Sequence, residues 1–220
     1  MAKICTSLEI PPTSFTDSVT TMAMVNGQPS AIAFTPSGSL GYILTATMLF
    51  TMSLVDGTTL VLAGNGFGFA DGQGAVARFY APMAMVVHPV TGVIYIADNN
   101  NNRIRKCTAQ GLVSTLVGKD IPGNVDGDAS TATFNLPYGI VMDPTMVYLY
   151  VTCYDGSTLR QVTLATGFTL TVAGNGRWAS TDGQGLGASF NGPLYVNLAM
   201  VTLIQFAKHI YTFNYNACVE

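Results

Sequence analysis

The sequence predicts an all-β protein, a β-propeller assembled from four-stranded blades. Three observations lead there. A block of markers recurs at a spacing of 55 to 56 residues (137 − 82 and 193 − 137 for its prolines). Each repeat holds four short runs of strand-forming residues. No run sustains a 3.6-residue apolar period, so helix is expected to be minimal.

The markers lie in the connectors between units. Gly64, Asp71, Phe79 and Pro82 form the first set, Gly118, Asp126, Phe134 and Pro137 the second, and Gly174, Asp182, Phe190 and Pro193 the third. The aspartates are spaced 126 − 71 = 55 and 182 − 126 = 56, and the phenylalanines 134 − 79 = 55 and 190 − 134 = 56. Each type has a mechanical reading. The glycines supply positive φ in tight turns. The aspartates accept backbone N–H bonds in those turns. The phenylalanines wedge between adjacent blades.

The strands follow in order. A first unit, residues 29–64, has runs at 31–34, 42–45, 49–54 and 59–63. A second, 82–118, has them at 83–87, 93–97, 103–107 and 112–117. A third, 137–174, has them at 139–142, 148–152, 159–164 and 169–173. Turn chemistry separates them: His88–Pro89, Asp98 to Asn102, Gln110–Gly111, Asp143–Pro144, Asp155–Gly156 and Thr166–Gly167. A partial fourth unit spans 193–220. Ahead of the first, residues 1–28 form an N-terminal segment in which 19–25 (VTTMAMV) reads as a strand, completing a preceding blade or capping the terminal one.

The repeats resemble the NHL-repeat β-propellers. The residues that carry the resemblance are AGNG at 63–66 and 173–176, DGxG at 71–74 and 182–185, AxF at 77–79 and 188–190, and IYIADNNNNRIRK at 94–106. The last is similar to the family's YVADxxNxRIRK core. The resemblance covers residues 31 to 193 and implies NHL-type blades, typically six around an open axial channel. Only about three and a half units are present here. The chain is thus expected to be an incomplete or open ring, with a smaller closed ring or completion by another copy as alternatives. An arc leaves its end faces bare. The apolar segments 42–55 and 194–206 are expected to be those faces, so self-association or further blades would cover them.

Composition narrows the function. Hydrophobic residues make up 49% and charged residues 10%, about 25% being usual, with a net charge of −3. That balance argues against a nucleic-acid partner, which needs a basic surface. Arg103, Arg105 and Lys106 are the only basic cluster, and pairing of Arg103 or Arg105 with Asp98 accounts for it. Residues 1–15 are too interrupted for a signal peptide. The uncharged stretches 41–55 and 194–207 are too short to span a membrane as helices. Cys5, Cys107, Cys153 and Cys218 sit in no CxxC and read as free thiols.

No catalytic, cofactor-binding or metal-ligating residue is assigned. GNGFGFADGQG joins two strands, where a phosphate cradle needs a helix N-terminus. Residues 124–128 lack the closing Glu of a calcium loop. His88 stands where the third unit has Asp143 and reads as a turn residue; His209 has no partner in the pattern. No Gly-x-Ser-x-Gly elbow occurs. Some members of the resembled family are lyases with metal-bound histidines in the channel, yet the inner strands here read AIAF, MAMVV and GIVM. The expected function is therefore a non-catalytic binding or scaffold module that takes a protein, peptide or glycan on its loops. The alternative is part of a channel-mouth lyase or hydrolase. A surface rich in Thr, Ser and Asn points to an extracellular or exported setting.

Overall fold

A computed structural model describes residues 25–197. Thirteen strands are described: β1 (Pro29–Phe34), β2 (Leu40–Thr45), β3 (Leu49–Ser53), β4 (Thr59–Ala63), β5 (Gly72–Gln73), β6 (Ala84–Val87), β7 (Ile94–Asp98), β8 (Arg103–Cys107), β9 (Leu112–Gly118), β10 (Pro137–Met142), β11 (Tyr148–Cys153), β12 (Thr158–Thr163) and β13 (Thr169–Ala173). Helix among the described residues is limited to single 3₁₀ turns at Gly74–Val76, Asn99–Asn101 and Gly185–Gly187. The expected strand at 19–25 and most of the fourth unit lie outside the described residues.

The strands form three antiparallel meanders, β1-β2-β3-β4, β6-β7-β8-β9 and β10-β11-β12-β13. These are the blades of a propeller. Their first strands are the inner ones: β6 packs beside both β1 and β10. The dipeptide β5, from the connector between the first two blades, adds a fifth strand outside β9, pairing Gly72 with Val113. Gly127 bridges Thr169 in the same way on the third blade. The first two connectors thus close the outer edge of the blade that follows them, which protects backbone groups an edge strand would expose.

Strand alternation explains the near-continuous apolar runs. Along β7, Ile94 and Ile96 face the first blade, while Tyr95 and Ala97 face the third. Both faces are covered, so both must be apolar. Phe79 is fully buried between Leu44, Leu49 and Ala63 of the first blade and Ile96 and Val113 of the second. Phe134 fills the next interface beside Ile104, Leu149 and Val162. These two rings each fill the interface between adjacent blades, and each is worth about 1.5–3 kcal/mol of burial.

Gly64, Gly118 and Gly174 have φ of +100°, +105° and +90°. A Cβ at each would sit 2.3 Å from Thr47 O, 2.4 Å from Asn102 O and 2.3 Å from Ser157 O, respectively. No side chain fits there, which fixes the first marker of every connector. Pro82 and Pro137 are buried at the start of the inner strands, and Pro193 is half-buried.

One expectation is corrected. The apolar segment 42–55 is not a bare face: Tyr42, Ile43, Leu44, Leu49, Phe50 and Met52 are all buried. Ile43, Phe50 and Met52 form a cluster of their own on the side away from the second blade, with Val25, Met48 and Leu54 packed on it. The exposed large apolar side chains of this blade are Ile32 and Phe34 on β1, Val55 in the β3–β4 turn, and Leu60 and Val61 on β4. The segment 194–206 lies largely outside the described residues.

Candidate binding face

Two of the connector aspartates bond to the blade that follows rather than to their own turns, which corrects the sequence expectation. Asp71 reaches forward to the second blade. Its carboxylate accepts from Arg105 Nε at 3.2 Å and Nη2 at 2.6 Å, and from Thr115 N at 3.1 Å. Asp126 repeats this on the third blade, accepting from Arg160 Nη2 at 2.9 Å and Thr171 N at 3.0 Å. Both guanidiniums also donate to connector carbonyls: Arg105 to Ala70 and Arg78, Arg160 to Val125 and Thr133. They lie over the wedge rings Phe79 and Phe134 at 5.4 and 5.0 Å. A bulge between the third and outer strands just ahead of each arginine recurs in both blades, a device that re-aims a side chain.

Asp98 completes the clasp in the second blade only. It accepts from Arg105 Nη1 at 2.6 Å, Asn101 Nδ2 at 2.8 Å and Tyr80 N at 2.9 Å, fully buried. The pairing read from the sequence is therefore made by Arg105. Arg103 lies over Phe69 at 3.9 Å and 3.7 Å from exposed Asp120. Burial pushes the Asp98 pKa up, against the pull of Asn101, Tyr80 and Arg105. In the third blade Cys153 stands at the Asp98 position (98 + 55 = 153), and Arg160 Nε is buried with no partner. Cys107 and Cys153 are free thiols, as expected. Burial pushes Cys107 up to about 12 and raises Cys153 as well, so both stay neutral. Cys5 and Cys218 lie outside the described residues.

Three of the four asparagines at 99–102 are spent on cohesion, and Asn100 is exposed. Asn99 donates to Pro137 O, Asn101 to Gly68 O, and Asn102 accepts from Leu136 N. They stitch the second blade to the connectors on either side. Asn102, at φ +52°, takes a left-handed conformation that asparagine tolerates. His88 is a turn residue, as read: its Nδ1 accepts from Val90 N and Thr91 N at 3.2 Å. It borders a shallow apolar cleft of about 380 Å³ with Tyr95, Met146, Val147 and Leu164, at the end of the array carrying the β6–β7 and β10–β11 turns. His209 lies outside the described residues. No group of three metal-ligating side chains occurs among the described residues.

The opposite end carries the β7–β8 and β11–β12 turns and the connectors. Aromatic rings gather there. Phe67 meets Tyr80 edge to face at 5.5 Å. Trp178 meets Tyr154 at 5.1 Å, Tyr154 meets Tyr138 at 6.3 Å, and Tyr138 meets Tyr195 at 5.6 Å. Phe67, Trp178 and Tyr195 are all at least half exposed. Sequence reading missed this face because the rings are far apart in the chain. One signal was available: Phe67 and Trp178 each stand twelve residues before a marker phenylalanine (79 − 67 and 190 − 178) and each bridges it.

No protein-family model matches the chain. It is 27% identical over 153 residues to NHL repeat-containing protein 2 of Bos taurus, covering 63% of this chain and 21% of that one. The blades are similar to those of NHL-repeat proteins. Among solved structures, a structural genomics protein of unknown function from Bacteroides thetaiotaomicron superposes with a TM-score of 0.65 at 20% identity, covering 77% of this chain and 42% of that one. A virginiamycin B lyase from Staphylococcus aureus gives 0.50 at 17%, over 76% and 44%. At these identities the structures share the propeller fold alone. The chain spans about a fifth of the bovine NHL-repeat relative and under half of either solved chain. No described helix is long and apolar enough to cross a membrane.

Proposed function

We propose that this chain is a non-catalytic recognition module that binds a protein, peptide or glycan on the end carrying its connectors. The observation that supports this best is the set of exposed rings, Phe67, Trp178 and Tyr195, held at that end on rigid blades. Aromatic side chains bring large contact area at low entropy cost, which suits recognition. The three described inner strands carry no titratable cluster that would support the lyase or hydrolase alternative. The Thr-, Ser- and Asn-rich surface supports an exported setting.

The test screens the chain and its Trp178→Ala variant on peptide and glycan arrays. Trp178 is half exposed and its substitution leaves the blade cores untouched. A ligand lost by the variant, with the melting temperature unchanged, supports the reading. Ligands bound equally by both proteins, or turnover of a bound compound, would sink it.

A further inference from the structure

The cleft of about 380 Å³ between the second and third blades lies at the end of the array away from the aromatic face. Val93, Met146, Val147 and Leu164 give it apolar walls. Its size falls within the range of small-molecule sites, which join such walls to a few placed polar groups. Tyr95 is one such group. It lines the cleft at 7% exposure, and its hydroxyl bonds to nothing among the described residues. Burial raises its pKa, so the hydroxyl stays protonated and able to donate. Tyr150, at the same register of the third blade, is satisfied: its hydroxyl accepts from Gln161 Nε2 at 2.8 Å, across the β11–β12 pair. Opposite Tyr95 stands Lys106 in place of that glutamine.

His88 is the second polar group. Its Nδ1 accepts from Val90 N and Thr91 N, so the hydrogen-bond network puts the proton on Nε2. Nε2, on the other edge of the ring, has no partner among the described residues and is left as a donor at the cleft. Lys106 is exposed, and its side chain leaves the sheet on the same side as Tyr95, about 5 Å from it at Cβ. No acid lines the cleft. Asp143, in the turn that supplies Met146 and Val147, is spent on Thr145, Val147 and Tyr148. Donors and a cation beside apolar walls call for a ligand that is apolar at one end and an anionic acceptor at the other.

We propose that this cleft binds a small carboxylate with an apolar body. The apolar part lies on Val93, Met146, Val147 and Leu164. The carboxylate accepts from the Tyr95 hydroxyl and His88 Nε2, with Lys106 as its counter-ion. This inference is independent of the aromatic face, which lies at the opposite end and is tested by other variants.

The probe is naphthoate, titrated into the whole chain with its methionine methyl groups isotopically labelled for NMR. Met146 reports from the cleft wall, and Met146→Leu assigns its resonance. The expected result is a saturable shift of the Met146 methyl. Tyr95→Phe should weaken binding about tenfold or more, since hydrogen bonds to a charged acceptor are the strong ones. His88→Asp keeps an acceptor for the turn but sets a carboxylate where the donor stood, and should abolish binding. Tyr42→Phe, the corresponding change in the first blade, should leave it unchanged. Naphthylmethylammonium, of the same shape but carrying donors alone, should not bind. Equal binding of the cation would overturn the proposal, whatever the variants do. So would equal binding by a Tyr95→Phe variant of unchanged melting temperature, or a Met146 methyl unmoved at millimolar naphthoate.

Discussion

Arg105 and Arg160 occupy the same register in sister blades, yet they should not be equally costly to remove. Arg105→Met takes a cation away from Asp98, whose carboxylate is fully buried and keeps only Tyr80 N and Asn101. Leaving a buried charge without its partner costs about 3–5 kcal/mol. Arg160→Met strands no such charge. Its acid, Asp126, has a side chain 40% exposed and can be hydrated, and the neighbouring Cys153 is a neutral thiol. The loss there is a few hydrogen bonds, about 1–2 kcal/mol. Methionine keeps most of the buried stem in both variants. Urea denaturation, followed by circular dichroism and by the single tryptophan, Trp178, measures both. The pH dependence gives a second signature. Burial already raises the Asp98 pKa, and loss of Arg105 raises it further. The folded variant then binds a proton more tightly than the unfolded chain. Its stability is fully present below the ordinary carboxylate pKa and is lost as pH rises through the raised value. The deficit of Arg105→Met should therefore narrow from pH 7 toward pH 4. Equal losses within about 0.5 kcal/mol, below the roughly 1 kcal/mol typical of a single hydrogen bond, or a deficit that widens in acid, would refute the reasoning.

Three more outcomes are expected. Cys153→Asp places a carboxylate at the Asp98 register beside Arg160, whose Nε has no partner, and should cost less than about 1 kcal/mol because ion pairing offsets burial; a thermal melt showing a loss above about 3 kcal/mol, the scale of an unpaired buried charge, would contradict this. His88→Asp copies Asp143, which accepts from Thr145 N, Val147 N and Tyr148 N, and should stabilise the β6–β7 turn by roughly 0.5–1 kcal/mol in urea titration. At Asp143, burial raises the pKa, but the hydrogen bonds from Thr145, Tyr148 and Val147 outweigh it and hold it below the usual carboxylate range; the destabilisation by Asp143→Asn at pH 7 should thus vanish as pH falls through that lowered value, read from melting temperatures between pH 7 and pH 2.

Much of the fold was legible because a blade covered on both faces must be apolar throughout, and turns punctuate such runs plainly. The strands of all three described blades fall within about two residues of where pattern and turn chemistry put them. The fifth strand was not legible. Gly72–Gln73 looks like turn sequence, and only tertiary pairing with Val113 and Leu112 makes it a strand. The same limit hid the reach of Asp71 and Asp126. A local reading assigns an aspartate beside glycine to its own turn, whereas the partners here lie 34 residues onward. The burial of Phe50 and Met52 was misread for a related reason: an apolar run says that it needs cover, not which side supplies it.

The repeats also differ in an informative way. Positions bound by backbone geometry do not vary: Gly64, Gly118 and Gly174 each lie against a carbonyl that forbids a side chain. Positions bound by polar partners vary within what the partner accepts, as His88 and Asp143 both receive turn N–H groups. Twelve residues before each marker phenylalanine stand Phe67, Pro122 and Trp178, two aromatics and a proline, although the backbone there is tied to the wedge in all three connectors through Gly68, Gly123 and Ala179. The scaffold holds that site in place and leaves its side chain free. Two of the three choices are exposed aromatics, Phe67 at 61% and Trp178 at 50%, on the end of the array that also carries Tyr80 and Tyr195. A fixed backbone presenting unconstrained side chains is how a rigid fold carries recognition on its loops, and on the recognition reading proposed above it makes substitution at 67 and 178 the most direct way to test binding without altering the fold.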